Sequence, residues 1–213
     1  MIKIENVEVL GWEHAIRGMR NPKNSWDRMD SSVSTEDFII GWNNIGPNDQ
    51  KLMTALAKGG PVHAKYRRMI TVYLDITAPL YWWKEFDTYK VGTVANSCST
   101  MHKIHDKEFT LDDFSHEHLK SPSIIMLEKV IEMMNNWRDH YGVSSDCQKD
   151  YWWQMIQLLP SSYNQKRTVM LNYEVLVGMY KHRKNHKLDE WIEFCDWIEC
   201  LPYSELIICE SED

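Results

Sequence analysis

HAKYRRMITVYLDITAPLYWWKEFDTYKVGTVANSCSTMHKIH, residues 63–105, concentrates the unusual chemistry of the chain and sets the reading of its fold. Residues 69–76 are β-branched and aromatic and close on Ala78-Pro79, which predicts a strand ending in a turn. Pro79 suits a first helical position, where the N–H it lacks would have no intrahelical acceptor, so a helix over 80–86 follows. Residues 87–93 interrupt the pattern, with Gly92 allowing a close backbone approach. Residues 93–100 are mostly small and hydroxylated. They read as the opening of a second helix whose N–H groups suit an anion or a flat ligand.

Outward from this stretch, residues 2–9 alternate imperfectly as a strand and 12–19 follow as a helix. Arg17, Arg20, Lys23 and Arg28, in and before the polar loop 21–34, form the densest basic patch of the opening third; they suit either a phosphate or plain solvation. Helices are predicted over 35–42 and 48–58, the second capped by Asn48-Asp49 and closed by Gly59-Gly60-Pro61. A polar turn at 110–114 precedes a helix over 123–141, where Ile124, Leu127, Val130, Ile131, Met134 and Trp137 form one stripe. Further helices are predicted over 149–159, 167–181 and 188–200, and the acidic tail 210–213 is expected to fray.

A chain of 213 residues at 43% hydrophobic can bury a sizeable core, so one domain over 1–213 is expected. The formal net charge of −7 argues against broad binding to nucleic acid or to an anionic membrane, so a nucleotide would have to be held by local cations. Cys98, Cys147, Cys195, Cys200 and Cys209 are odd in number and scattered, without a signal peptide, which predicts reduced thiols and a cytoplasmic setting. No apolar run reaches the length a bilayer span requires.

The candidate sites each have a structural reading beside the chemical one. His102 and His105, with Asp106, Glu108, His116 and His118 nearby, lack any Cys pair or His-Glu-x-x-His, so a polar helix face is expected there and no metal. Cys98 with His102 four residues on has nucleophile spacing on a helix, against the ordinary role of a small thiol. In each of the pairs Trp82-Trp83 and Trp152-Trp153 one ring is expected in the core and one facing a cavity or a partner subunit. Arg183 lies in the cationic run 181–184, which suits an anionic ligand and equally a helix end that complements its dipole. Asn172, in the apolar run 169–177, reads as a buried amide on a helix that needs partners.

In the order of its motifs the chain resembles the flavin-dependent thymidylate synthases. Without gaps, His63 matches the His that opens their signature region, Ala78-Pro79 the turn, Lys84-Glu85 an Arg-Gln pair, Thr88-Tyr89-Lys90 an Arg-His-Arg triplet, and Thr93 the Ser after it. One inserted residue brings Asn96 and Ser99 onto the Asn and second Ser of the following run; without it Cys98 falls on that Ser. Leu159-Pro160, Asn172, Leu176 and Arg183 repeat the order of the family's later block. Three cationic positions are replaced: the triplet is Thr-Tyr-Lys, Glu174-Val175 stands for Arg-Ser, and Met155-Ile156-Gln157 stands where an Arg precedes Leu-Pro.

The resemblance implies an α+β fold with a central antiparallel sheet and surrounding helices. It implies FAD held by His63, Thr88, Tyr89, Lys90 and Asn172, and a pyrimidine nucleotide held by Lys84, Glu85, Ser97, Ser99 and Arg183; it assigns no catalytic residue. The implied reaction is reductive methylation of dUMP at C5, with methylenetetrahydrofolate and NADPH as co-substrates, in a homotetramer. The altered triplet implies weaker FAD binding and leaves a second expectation standing, a nucleotide-binding protein of the same fold without synthase activity.

Overall fold

The computed structural model describes residues 2–32, 44–143 and 147–209. Four strands, β1 (Lys3–Leu10), β2 (Thr71–Pro79), β3 (Val94–Ser97) and β4 (Asn164–Asn172), form one antiparallel sheet in the order β1-β2-β4-β3. The helices among the described residues are α1 (Trp12–Arg20), α2 (Pro47–Lys58), α3 (Leu80–Phe86), α4 (Ser121–Val143), α5 (Gln148–Leu158), α6 (Tyr173–Arg183), α7 (Asp189–Glu199) and α8 (Glu205–Ile208). The chain divides into two compact units, the first made of Met1–Lys3, Ile76–Asp87 and Asn96–Arg167, the second of Ile4–Asp75, Thr88–Ala95 and Thr168–Asp213.

Period-two burial makes β2 the best-defined strand. Val72, Leu74, Ile76 and Ala78 are buried while Tyr73 is exposed, so one face packs and the other stays open. The strand runs through Pro79, whose extended backbone makes it the N-cap of α3 rather than its first residue. The helix keeps its predicted bounds, while the strand predicted over 69–76 starts at Thr71 and extends to Pro79, which has no N–H for the ladder and ends it there.

In the first unit the core joins Ile104, Phe109 and Phe114 to Leu127, Ile131 and Met134 of α4 and Met155 of α5. Leu80 N–H donates to the Tyr163 carbonyl and Tyr81 N–H to that of Ser161, which fixes the start of α3. Trp82 and Trp83 are both buried, with centroids 4.9 Å apart, and both pack near Phe86 at 5.2 Å. The expectation that one ring of this pair faces outward is corrected: on so short a helix the second ring is covered by Arg167, whose guanidinium lies 4.2 Å from the Trp83 centroid. In the other pair Trp153 is exposed and Trp152 half-buried.

The second unit is built around Trp12, whose ring meets those of Tyr173 and Tyr203 edge-on at 5.3 Å each. Burial of a ring that size is worth about 4–6 kcal/mol in transfer free energy as an upper estimate. Tyr173, at the start of α6, donates its hydroxyl to the Pro202 carbonyl, and its N–H bonds the Ile70 carbonyl just before β2.

Two sequence expectations fail for one physical reason. The helix predicted over 167–181 is strand β4 up to Asn172 and helix α6 after it, since Val169 and Leu171 are buried while Thr168 before them is exposed and Met170 between them is half-buried. The helix expected to open at 93–100 is instead the exposed strand β3, which continues as Cys98 N–H bonds the Lys166 carbonyl. In both places a neighbouring strand satisfies backbone groups that a helix would have satisfied internally, and the short segments have no apolar helical stripe to bury. The helix expected over 35–42 and the tail 210–213 lie outside the described residues.

Candidate functional site

Asp49 organises the loop that follows α1. Its carboxylate is fully buried and accepts from Arg20 Nε at 2.7 Å and Nη2 at 2.6 Å, from the Ser31 hydroxyl at 2.6 Å, and from the backbone N–H of Asp30 and Ser31. Asp30 returns the arrangement by capping α2, accepting from the N–H of Asn48 and Asp49. Burial pushes the Asp49 carboxyl up, but the donors from Ser31, Arg20 and the backbone outweigh it and hold it below its ordinary value. Arg20, one of the four cations of the basic patch, is thus committed to structure.

Lys23 and Arg28 of that patch line one open cleft of about 1450 Å³ in the second unit. Lys23, Arg28, Lys51, His63 and Lys65 line it, against a single acidic lining residue, Asp27. Among the described residues none of Lys23, Arg28, Lys51 or Lys65 has an ion-pair partner. Leu52, Leu56, Val62 and Met69 add an apolar side. The volume exceeds that of an ordinary small-ligand pocket, about 300–1,000 Å³. Cations beside an apolar side suit an anionic ligand that also carries an apolar part. Lys51 and Lys65 were not singled out from sequence; they stand 14 residues apart, on α2 and in the turn before β2, and only folding aligns them.

The replaced triplet is built differently. Tyr89 accepts at its hydroxyl from Arg183 Nε at 3.0 Å, and the Arg183 guanidinium lies 5.6 Å from the Tyr89 ring and 4.7 Å from that of Trp191. Two aromatic residues therefore hold Arg183, and the predicted site residues Tyr89 and Arg183 are in direct contact. The Thr93 hydroxyl bonds the Tyr89 carbonyl, closing the turn. At Gly92, with φ at +81°, a Cβ would come within 2.9 Å of Asn172 Nδ2 and 3.0 Å of Val175 Cγ2, so the close approach predicted for this glycine is to the Asn172 side chain. Asn172 itself is the N-cap of α6 and accepts from Val175 N–H at 3.0 Å. Thr88 and Lys90, on either side of Tyr89 in sequence, are exposed.

The other predicted residues fall in the first unit. Lys84 and Glu85 lie on α3, Ser97 ends β3, and the Ser99 hydroxyl accepts from the N–H of Met101 and His102. Cys98 is exposed, and residues 98–106 are turns rather than helix, so the helical spacing that paired it with His102 does not exist. No group of three or more His, Cys, Asp or Glu side chains suited to a metal occurs among the described residues. Sequence reading passed over Arg167, which pairs with Asp87 at 2.8 Å while covering Trp83.

The cleft's cations could hold the diphosphate of a flavin. No helix among the described residues is long and apolar enough to cross a membrane.

No protein-family profile matches the chain. No curated protein matches it in sequence. Solved structures do match in fold: thymidylate synthase X (ThyX) from Helicobacter pylori with FAD and dUMP has a TM-score of 0.64 at 15% identity, covering 98% of both chains. A second ThyX structure from the same organism, also with FAD and dUMP, has a TM-score of 0.64 at 13% identity, covering 97% of this chain and 98% of that one. The UMP/dUMP methylase PolB from Streptomyces cacaoi, bound with 5-Br dUMP, has a TM-score of 0.60 at 11% identity, covering 94% and 89%. At such identities the likeness establishes architecture, and the chain has a ThyX-like α+β fold.

Proposed function

We propose that this chain is a flavin-dependent, thymidylate-synthase-like protein that acts on dUMP or a related pyrimidine nucleotide. The observation that carries the reading is the cleft, where Lys23, Arg28, Lys51 and Lys65 converge without ion-pair partners among the described residues of a protein with net charge −7. FAD is the cofactor of this proposal, its diphosphate held by those side chains and by His63, with methylenetetrahydrofolate and NADPH as co-substrates. The flavin, when bound, supplies the redox chemistry. The chain's own part is to bind and orient: the lysines act as point charges toward phosphate, and Arg28 offers a fork of donors.

Lys90, Lys84, Glu85, Ser97 and Ser99 are proposed nucleotide-side or flavin-side contacts, together with Arg183 held in place by Tyr89. A homotetramer on one domain-sized fold completes the proposal. Support for assembly is the set of exposed apolar side chains on three strands, Val7, Tyr73 and Val94.

A second reading, a nucleotide-binding protein of the same fold without synthase activity, is favoured by two specific commitments. Asn172 is engaged as a helix cap and Arg183 with Tyr89 and Trp191. One experiment separates the readings: purified protein is titrated with FAD, then assayed for release of tritium from C5-labelled dUMP. Flavin binding that is lost in Lys51→Glu/Lys65→Glu, together with tritium release, supports the enzyme. Nucleotide binding without release supports the second reading, and binding of neither ligand removes both.

A further inference from the structure

His102, His105 and Trp152, which stand out in the sequence and take no part in the cleft, meet in the first unit. There the turns after β3, the end of α4 and the start of α5 border an open cavity of about 490 Å³, inside the usual range for small ligands, about 300–1,000 Å³. Its aromatic walls are held in place. Trp152, half-buried on α5, donates its indole N–H to the Met101 carbonyl at 2.7 Å. The His105 ring packs on that of Tyr141 from α4, with centroids 4.2 Å apart. A flat ring placed against such faces gains stacking contact without having to order them first. The polar lining is one-sided. Lys149, His102, His105 and the Gln148 amide offer N–H donors, and no carboxylate lines the cavity among the described residues, in a chain of net charge −7. Asp106, next to His105 in sequence, is paired with Lys103 at 2.9 Å and with His105 at 3.4 Å. Neither Lys149 nor His102 has an ion-pair partner among the described residues.

We propose that this cavity binds a small flat-ring anion, an aromatic ring carrying a carboxylate or a phosphate group. The ring lies against Trp152 and the His105–Tyr141 pair. The anionic group takes charge-assisted hydrogen bonds from the Lys149 ammonium and an N–H from the His102 imidazole. Lys149 gains the counter-ion it lacks, and the pinned indole and stacked imidazole make the ring, as well as the charge, a condition of binding. The inference is independent of what the cleft binds, because every residue lining the cleft belongs to the second unit.

The test is a ligand-observed NMR titration of the full chain with benzoate and with phenyl phosphate, beside cyclohexanecarboxylate and inorganic phosphate, which both lack a flat ring. At least one of the aromatic probes is expected to bind with a Kd of about 1 mM or tighter, and its ring-free counterpart at least about tenfold more weakly. The tighter of the two aromatic probes identifies the anionic group as carboxylate or phosphate. Lys149→Glu, at an exposed position, is expected to weaken binding at least about tenfold, and Trp152→Leu to remove the preference for a flat ring. The cleft variant Lys51→Glu/Lys65→Glu is expected to bind these probes as the wild type does. The proposal is overturned if neither aromatic probe binds at about 10 mM, if the ring-free counterparts bind equally well, if Lys149→Glu leaves the affinity unchanged, or if the cleft variant is the one that loses binding. Lys149→Glu and the ring-free probes decide the matter if Trp152→Leu does not fold.

Discussion

Asp49→Asn removes one charge from the buried pair on which the loop after α1 depends. The substituted amide keeps the volume but turns an NH2 toward donors that now reach a carboxylate: Arg20, the Ser31 hydroxyl and two backbone N–H groups. Arg20, whose side chain is 4% exposed, is left charged without a counter-ion. Removing one member of such a pair costs about 3–5 kcal/mol. For a chain of this size each kcal/mol moves the thermal midpoint by about 2–4 °C, so the variant is expected to melt about 6–20 °C lower at neutral pH. The assay is thermal unfolding followed by circular dichroism on both proteins across pH. The Asp49 carboxyl titrates below its ordinary value of 3.8, so its contribution is complete above that pH and is lost as pH falls through the lower folded value. The gap between wild type and Asp49→Asn is therefore expected to narrow in acid below 3.8. A neutral-pH midpoint within about 2 °C of wild type, less than one kcal/mol of stability, would refute the assignment of Asp49 as the anchor of this loop.

Two further outcomes test the triplet region. Gly92→Ala and Gly60→Ala place a side chain at nearly the same positive φ, but only at Gly92 does the new Cβ meet neighbours, Asn172 and Val175. Both variants are expected to lose about 1–3 kcal/mol from backbone strain in chemical denaturation, with the larger loss at Gly92; equal losses would show that the contact with Asn172 is unimportant. Asn172→Ala is expected to cost about 1 kcal/mol through loss of the α6 cap, while Asn172→Ser stays near wild type. A stability unchanged in the Ala variant, with altered ligand binding, would instead make Asn172 a ligand contact.

What the chain's sequence determined by itself was local and periodic. The alternation of Val72, Leu74 and Ile76 against Tyr73 and Asp75 specifies β2, and the residues of α1, α2 and α4 carry enough one-sided apolar pattern to be placed within a residue or two. The order of motifs from His63 to Arg183 implied an α+β arrangement with an antiparallel sheet, which the structure has. Tertiary structure alone decided which state the ambiguous segments adopt. The runs 93–100 and 167–172 are short, and their backbone groups find partners on neighbouring strands that no local pattern can announce. It also decided which cations are available. In the sequence Arg20, Arg28 and Arg183 look alike, yet burial gives Arg20 to Asp49, aromatic rings and a phenol take Arg183, and Arg28 is left on the cleft with Lys23, Lys51 and Lys65. Charge type is written in the sequence, whereas the partner of each charge is set by distances of a few ångströms between residues far apart along the chain.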